Sequence, residues 1–178
     1  MPDDPVAELT ARYDREAQIY RDDWAPILRE WGQVLLPELQ DAGVRSVLDV
    51  GAGVGSLLPD LRSAFPGAFV VEIDRSRGML ALAPQQCSRA VMDAMQLGLA
   101  PATFDRVVMA FMLFHLESPL AGLREARRVL RAGGFAGTLT WAGALESNAI
   151  RHWNECLEQH GAIPTDPAPT LRFAAEIF

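Results

Sequence analysis

Hydrophobic positions divide the chain into three zones. From residue 5 to about 42 they recur every three or four positions. Leu9, Tyr13, Ala17 and Tyr20 form one stripe; Ile27, Trp31, Val34 and Leu35 form another after Pro26. That period is helical and predicts two helices stopped at Gly43. From 44 to about 141 short apolar runs alternate with amphipathic stretches. Strands are expected at 46–50, 69–74, 90–92, 104–110 and 134–141, and helices at 56–65, 77–83 and 119–130. Val47-Leu48-Asp49-Val50 and Val107-Val108-Met109-Ala110 read as continuous apolar runs, as strands covered on both faces do. The implied fold class is α/β: a doubly wound, Rossmann-like, mostly parallel sheet with helices on both faces. In such sheets ligands bind beyond the carboxyl ends of the strands, where the strand order reverses.

The third zone carries one more helical pattern, at 148–160, with Ile150, Trp153, Cys156 and Leu157 on one face. Pro164, Pro167 and Pro169 then interrupt the chain. The apolar end Ala174-Ala175-Glu176-Ile177-Phe178 wants a partner surface, so a continuation beyond it is expected. The organisation expected is a helical lid over 1–43, an α/β core over 44–145 and a carboxyl-terminal helix and loop over 146–178.

Composition narrows the function classes. The 178 residues are 49% hydrophobic and 22% charged, which suits one globular domain with a proper core. No apolar run approaches the ~20 residues of a membrane span, and the acidic start is unlike a secretion signal, so a cytoplasmic protein is expected. A formal net charge of -7 argues against nucleic acid as the main partner, because that affinity comes from Lys and Arg neutralising phosphates. Arg124, Arg127, Arg128 and Arg131 fall at helical spacing and read as a solvated face suited to the helix dipole. Cys87 and Cys156 form no CxxC pair. His152 and His160 are too far apart on their helix to share an ion, so no metal is expected.

The chemistry concentrates in Val47-Leu48-Asp49-Val50-Gly51-Ala52-Gly53-Val54-Gly55. A buried strand runs into three glycines and then a helix. Gly51 permits the tight turn, and Gly53 and Gly55 let backbone approach a ligand where a Cβ would collide. About twenty residues on, the second strand ends in Glu72-Ile73-Asp74, and an acid there can accept hydrogen bonds from ribose hydroxyls. Glu72 shares Asp74's side of the strand, where it either competes for the ribose or is solvated. A nicotinamide cofactor fits this much. Against it, position 56, the last glycine of GxGxxG, is Ser56. Asp49 would repel a pyrophosphate yet favour an ammonium or sulfonium cation. Asp93 ends the third strand, placed to accept from an adenine amine.

These segments together resemble the class I S-adenosylmethionine-dependent methyltransferases, in their small-molecule, type 11-like branch. Asp49-Val50-Gly51-Ala52-Gly53-Val54-Gly55 is similar to the family's first motif, and Ile73-Asp74-Arg75-Ser76-Arg77-Gly78-Met79-Leu80 to its second-strand segment. Asp93-Ala94-Met95 resembles the adenine-side motif, and Phe104-Asp105-Arg106-Val107-Val108 the fourth strand. Arg128-Val129-Leu130-Arg131-Ala132-Gly133-Gly134 resembles the turn into the fifth. The likeness runs in order over roughly residues 10 to 141.

The resemblance implies the cofactor S-adenosyl-L-methionine, with S-adenosyl-L-homocysteine as product. Asp49, Gly51, Ala52, Gly53 and Gly55 would hold its methionine part. Asp74 would bind the ribose, with Arg75 and Met79 beside the adenosine. Asp93 would take the adenine amine, with Ala94 and Met95 on the ring, and Ala110 and Phe111 would wall the sulfonium. Tyr13-Asp14-Arg15-Glu16-Ala17-Gln18-Ile19-Tyr20 resembles the family's lid helix. Tyr20 is then the first choice to close over the methionine end and Tyr13 the second, while plain core packing explains both rings as well. Trp24 and Trp31 read better as buried anchors than as an acceptor pocket. His115 is the candidate general base, its alternative a packed residue opening the next helix.

The antiparallel hairpin that normally closes the family's sheet is not found in the sequence. Without it the fifth strand would present an edge that a second copy of the chain could cover. The reaction implied is in-line methyl transfer to a small-molecule acceptor, with no metal, nucleic acid or membrane partner. Two other readings stay open: an NAD(P)-dependent oxidoreductase, and a non-catalytic methyltransferase-like binding subunit.

Overall fold

Ser46–Val50 forms β1, the central strand, whose five residues are all buried. Phe69–Asp74 (β2) and Ser88–Val91 (β3) lie to one side of it, and Phe104–Ala110 (β4) and Leu130–Leu139 (β5) to the other. The order is β3-β2-β1-β4-β5, and every strand pairing is parallel. The chain runs outward from β1 to β3, then crosses back to β4. The reversal falls between β1 and β4, and a crevice opens there at the carboxyl ends of the strands. The computed structural model describes residues 5–85 and 87–141. Met1–Leu139 form one compact unit and Thr140–Phe178 a second. The helix expected at 148–160, with His152, Cys156 and His160, lies outside the described residues, as do the expected chain end and any closing hairpin.

Alternate residues of the strands feed two cores, as the period of two requires. Leu48, Val50, Ile73, Val107 and Met109 pack with Ala126 and Val129 of helix Pro119–Val129 on one face. Val47, Val70 and Val108 pack on the other with Leu58, Leu61 and Phe65 from the segment of helix Leu58–Ala64. Each buried Leu or Ile contributes on the order of 2 kcal/mol, so these two layers hold the sheet.

At the amino end of the strands Asp105 clamps β1, β4 and β5 together. Its Oδ2 accepts from the N–H groups of Arg45 and Ser46, both at 2.9 Å, and its Oδ1 accepts from Arg131 at 2.8 Å. Arg128 donates to the carbonyls of Leu97 and Leu99 and to Glu125. Two of the four arginines expected on a solvated face therefore brace the fold, because unpaired carbonyls and a carboxylate stand within their reach.

The amino-terminal zone is one bent helical run rather than two helices. In chain order its helices are α1 (Pro5–Ile19), α2 (Ala25–Gly32) and α3 (Leu36–Leu39). The helices already described at Leu58–Ala64 and Pro119–Val129 are α4 and α6, with α5 (Arg77–Leu82) between them. A widened π turn, Tyr20–Trp24, joins α1 to α2, and the N–H of Ala25 reaches back to Tyr20 O. Pro26 explains the widening: it has no N–H for the carbonyl of Asp22, and its ring crowds that carbonyl.

The expected burial of Trp24 and Trp31 is overturned. They are 53% and 59% exposed, beside exposed Ile27 and Val34. Helix α2 packs inward through Ala25 and Gly32 instead, and a Cβ on Gly32 would stand 3.3 Å from Leu57. Small residues permit the closer approach, so the large apolar stripe is turned outward.

Candidate active site

The loop after β1 is held by one carbonyl. Gly51 and Ala52 both donate their N–H to Ile73 O, at 2.8 and 2.9 Å. Gly51 has φ +75°, and a Cβ there would sit 2.6 Å from Met112. Only glycine meets both demands. Gly55 answers a different need. Its missing Cβ would lie 2.8 Å from Glu72 Oε1, and it lines no part of the cleft.

Three carboxylates gather under and beside this loop. Asp74 ends β2; its Oδ2 accepts from Gly53 N at 2.9 Å and its Oδ1 from Ser76 N at 2.8 Å. These bonds pin the loop to the second strand and leave lone pairs facing the cavity. Burial nevertheless holds Asp74's pKa above the usual carboxylate value. Asp49 is only 3% exposed, and burial, reinforced by Glu72 and Asp74, drives its pKa well upward. Glu72 is Asp49's register partner on β2 and is fully buried. Its Oε2 accepts from the Cys87 thiol at 2.7 Å, and its Oε1 has no hydrogen-bond partner. Burial and Glu72 push the thiol up to about 11. Both expectations for Glu72, ribose competitor or solvated acid, are thus overturned: it is sealed beneath Gly55.

The cleft has two chambers. The larger encloses about 680 Å³, counting its open mouth. Tyr13, Tyr20, Gly51, Gly53, Asp74, Arg75, Met79, Met92, Ala94, Ala110, Phe111, Met112 and His115 wall it, closed by Leu9 and Leu116. The smaller, about 380 Å³, shares Tyr20, Gly51, Ala110 and Phe111 with the larger and adds Arg29, Asp49, Ala52 and Ser56. Phe111 stands between them at φ +55°, a conformation that costs an aromatic residue energy and that clusters at functional sites.

Helix α1 forms the roof. Asp14 Oδ1 accepts from Ser76 Oγ at 2.6 Å and Gly78 N at 2.7 Å, and these bonds draw its pKa down. That latch sets the tyrosines over the cleft. Tyr13 Oη lies 2.9 Å from His115 Nε2, and the Tyr20 ring meets Tyr13 edge-on at 6.0 Å. Burial raises the pKa of both phenols, so both stay protonated at neutral pH. On the opposite wall Arg75 pairs with Asp93 at 3.5 Å, while its Nη1 and Nη2 are buried without a hydrogen bond. A buried guanidinium with unused donors beside a carboxylate is what an adenosine edge would complete.

Residues 48–137 match the family described as "Methyltransferase domain". The chain belongs to the S-adenosylmethionine-dependent methyltransferases. Over 154 residues it is 32% identical to malonyl-[acyl-carrier protein] O-methyltransferase of Dechloromonas aromatica, covering 86% of this chain and 58% of that protein. Over 89 residues, 49% of this chain and 38% of the relative, it is 39% identical to demethylmenaquinone methyltransferase of Corynebacterium glutamicum. The chain thus spans about 58% or less of the length of these relatives. Among solved structures it resembles the putative methyltransferase in complex with the Haloferax volcanii Trm112 methyltransferase activator. The TM-score is 0.66 at 23% identity, over 83% of this chain and 66% of that one, a likeness of fold.

Membership sets aside the nicotinamide reading, and the family's cofactor is S-adenosylmethionine. Of the residues expected for this methyltransferase site, Tyr20, Gly51, Gly53, Asp74, Arg75, Met79, Ala94, Ala110, Phe111 and His115 line the larger chamber. Asp49 and Ala52 line the smaller. Gly55, Asp93 and Met95 stand off both walls. Gly55 is turned to Glu72, Asp93 accepts from Met95 N at 2.7 Å, and Met95 packs into the sheet core. Leu9, Arg29, Met92 and Met112 were not foreseen. Leu9 shares the Tyr13 stripe and was findable; Arg29 carries no sequence signal. Among the described residues no cluster of His, Cys, Asp and Glu is arranged for a metal ion, and no helix is long and apolar enough to cross a membrane.

Proposed function

We propose that the chain transfers a methyl group from S-adenosyl-L-methionine to a small-molecule acceptor, with α1 to α3 acting as the lid. The observation that carries this reading is the two-chambered cleft at the β1/β4 reversal, whose shared floor is the glycine loop bonded to Asp74. Asp74 would hold the ribose hydroxyls. Arg75, Met79, Met92 and Ala94 would enclose the adenine, with Asp93 at its amine. Gly51, Ala52 and Gly53, over Asp49, would carry the amino-acid end, and Ala110 and Phe111 would flank the sulfur.

When bound, the cofactor supplies a methyl group on a sulfonium whose leaving group departs neutral, so positioning accounts for much of the acceleration. The chain's own part is to align and to handle the acceptor's proton. Tyr13 Oη lies within hydrogen-bond distance of His115 Nε2, and in the imidazole tautomer protonated at Nδ1 the phenol O–H donates to Nε2. A hydroxyl or amine acceptor at Tyr13 Oη would pass its proton to that oxygen as the phenolic proton moves to Nε2. Leu9, Tyr13 and Tyr20 exclude water from above. The relatives' names support a small acceptor group: one names a malonyl unit borne on an acyl-carrier protein, the other demethylmenaquinone.

Calorimetry with S-adenosylhomocysteine and with NADH tests the reading. Binding of the former alone, lost in Asp74→Asn, is the expected result. Binding of neither would remove the enzyme reading for this chain and leave a pure interaction role.

A further inference from the structure

Helix α1 touches both sides of the crevice through two consecutive residues. Tyr13 reaches His115, in the segment after β4, and Asp14 reaches Ser76 and Gly78, in the segment after β2. The second contact is a close one. A Cβ on Gly78 would stand 2.7 Å from both Cα and the carbonyl oxygen of Asp14. Only glycine lets α1 lie this low on the first turn of α5.

Ser76 is where this contact meets the floor of the cleft. It is 1% exposed, and its polar groups are engaged on three sides. Its N–H donates to Asp74 Oδ1 at 2.8 Å, its Oγ accepts from Met79 N at 3.1 Å, and its hydroxyl donates to Asp14 Oδ1 at 2.6 Å. Asp74 accepts from Gly53 N through its other oxygen. A chain of bonds therefore runs from the roof to the glycine loop, in the order Asp14, Ser76, Asp74, Gly53. A buried hydroxyl that both donates and accepts is confined to one rotamer, and this steadies the turn that aims the Ser76 N–H at Asp74. Asp14 thus acts on Asp74 through Ser76 rather than directly.

We propose that Asp14 is a positioning residue for the ribose acid. Through Ser76 it holds Asp74 in the orientation that receives the ribose hydroxyls, so that closure of α1 and recognition of the ribose are one event. This rests on the ribose assignment made above for Asp74. It differs from a latch that merely holds α1 down, which would serve every ligand of the cleft alike.

The test compares S-adenosylhomocysteine with its 2′,3′-dideoxy analogue, which keeps the adenine, sulfur and amino-acid end but offers Asp74 no hydroxyl. Affinities are measured by calorimetry for the wild type, Asp14→Ala, Asp14→Asn, Asp74→Asn and the variant carrying both Asp14→Ala and Asp74→Asn. Melting temperatures verify folding. Asp14→Ala should weaken S-adenosylhomocysteine about 5- to 10-fold, a fraction of what the charged bonds of Asp74 themselves supply. The dideoxy analogue should change less than about twofold on the same grounds. Asp14→Asn still offers an oxygen to Ser76 and Gly78 and should recover part of the loss. Added to Asp74→Asn, Asp14→Ala should cost less than about twofold, because the charge that it orients is already gone. Unchanged S-adenosylhomocysteine affinity in Asp14→Ala overturns the proposal, as does a parallel loss of both ligands or an additive double variant. Wild type that binds the two ligands equally overturns the ribose assignment, and wild type that binds neither overturns the cofactor reading itself, outcomes distinct from the others.

Discussion

The two ends of the sheet treat the same chemical group in opposite ways. At the amino end Asp105 accepts from two backbone N–H groups, Ser46 Oγ and Arg131. Burial opposes its charge, but these donors together hold its pKa far below the usual aspartate value. At the carboxyl end Asp49, Glu72 and Asp74 are crowded together, and burial pushes all three upward despite the donors that Asp74 and Glu72 have. One end is electrostatically finished. The other keeps unspent hydrogen-bond capacity, a strained Phe111 and an under-bonded Arg75, as a surface does when its remaining partner is a ligand.

Substitutions at each end should separate affinity from stability. The largest effect is expected for Asp74→Asn, which should weaken S-adenosylhomocysteine about 100-fold through lost charged hydrogen bonds. Asp105→Ala should leave that affinity within about twofold while removing roughly 2–3 kcal/mol of stability, a fall of about 5–10 °C in melting temperature. If Asp105→Ala weakens binding as much as Asp74→Asn, the two ends are not functionally distinct.

Their pH dependences should also run in opposite directions. Asp105 has a depressed pKa, so its stabilisation is present above the unfolded aspartate value near 4 and is lost as pH falls through its folded value. The melting gap between wild type and Asp105→Ala should therefore narrow on acidification below about 4. Glu72 has a raised pKa, so its contribution is complete below the unfolded glutamate value near 4.3 and declines as pH rises through the folded one. Glu72→Gln should gain about 2–4 °C over wild type at pH 8 and nothing at about pH 4. A gain of equal size at both pH values would mean that packing, not charge, limits this site. The smallest effect is expected at the outward face of α2. Trp31→Gln should move the melting temperature by no more than about 1 °C, as exposed positions do, and a drop of several degrees would mean that this face is covered in solution.

Much of this arrangement is legible in the chain. The run at 47–50 announces a doubly covered strand, and the turn after it is read from Gly51 because a left-handed φ beside Met112 admits no other residue. Asp74 follows from its place at the end of β2. The errors have one source. Ile27, Trp31 and Val34 have a sound amphipathic pattern, but periodicity names a face without naming its direction, and Gly32 and Ala25 faced inward. Glu72 looked like a competitor for the ribose or a solvated acid because strand parity is visible and the ceiling provided by Gly55 is not.

Local demands account for what the amino-acid sequence determined: where strands and helices form, where only glycine can turn, and which acid ends which strand. These depend on neighbours a few residues away, whose steric and hydrogen-bonding needs are written in consecutive positions. The tertiary structure alone decided which distant groups meet. Tyr13 reaches His115 across 102 positions and Arg29 reaches Asp60 across 31. Burial, which sets the opposite fates of Asp105 and Asp49, likewise exists only after the layers close. Such pairings depend on helix rotation and approach, summed from many weak contacts, and no short stretch of sequence carries that sum.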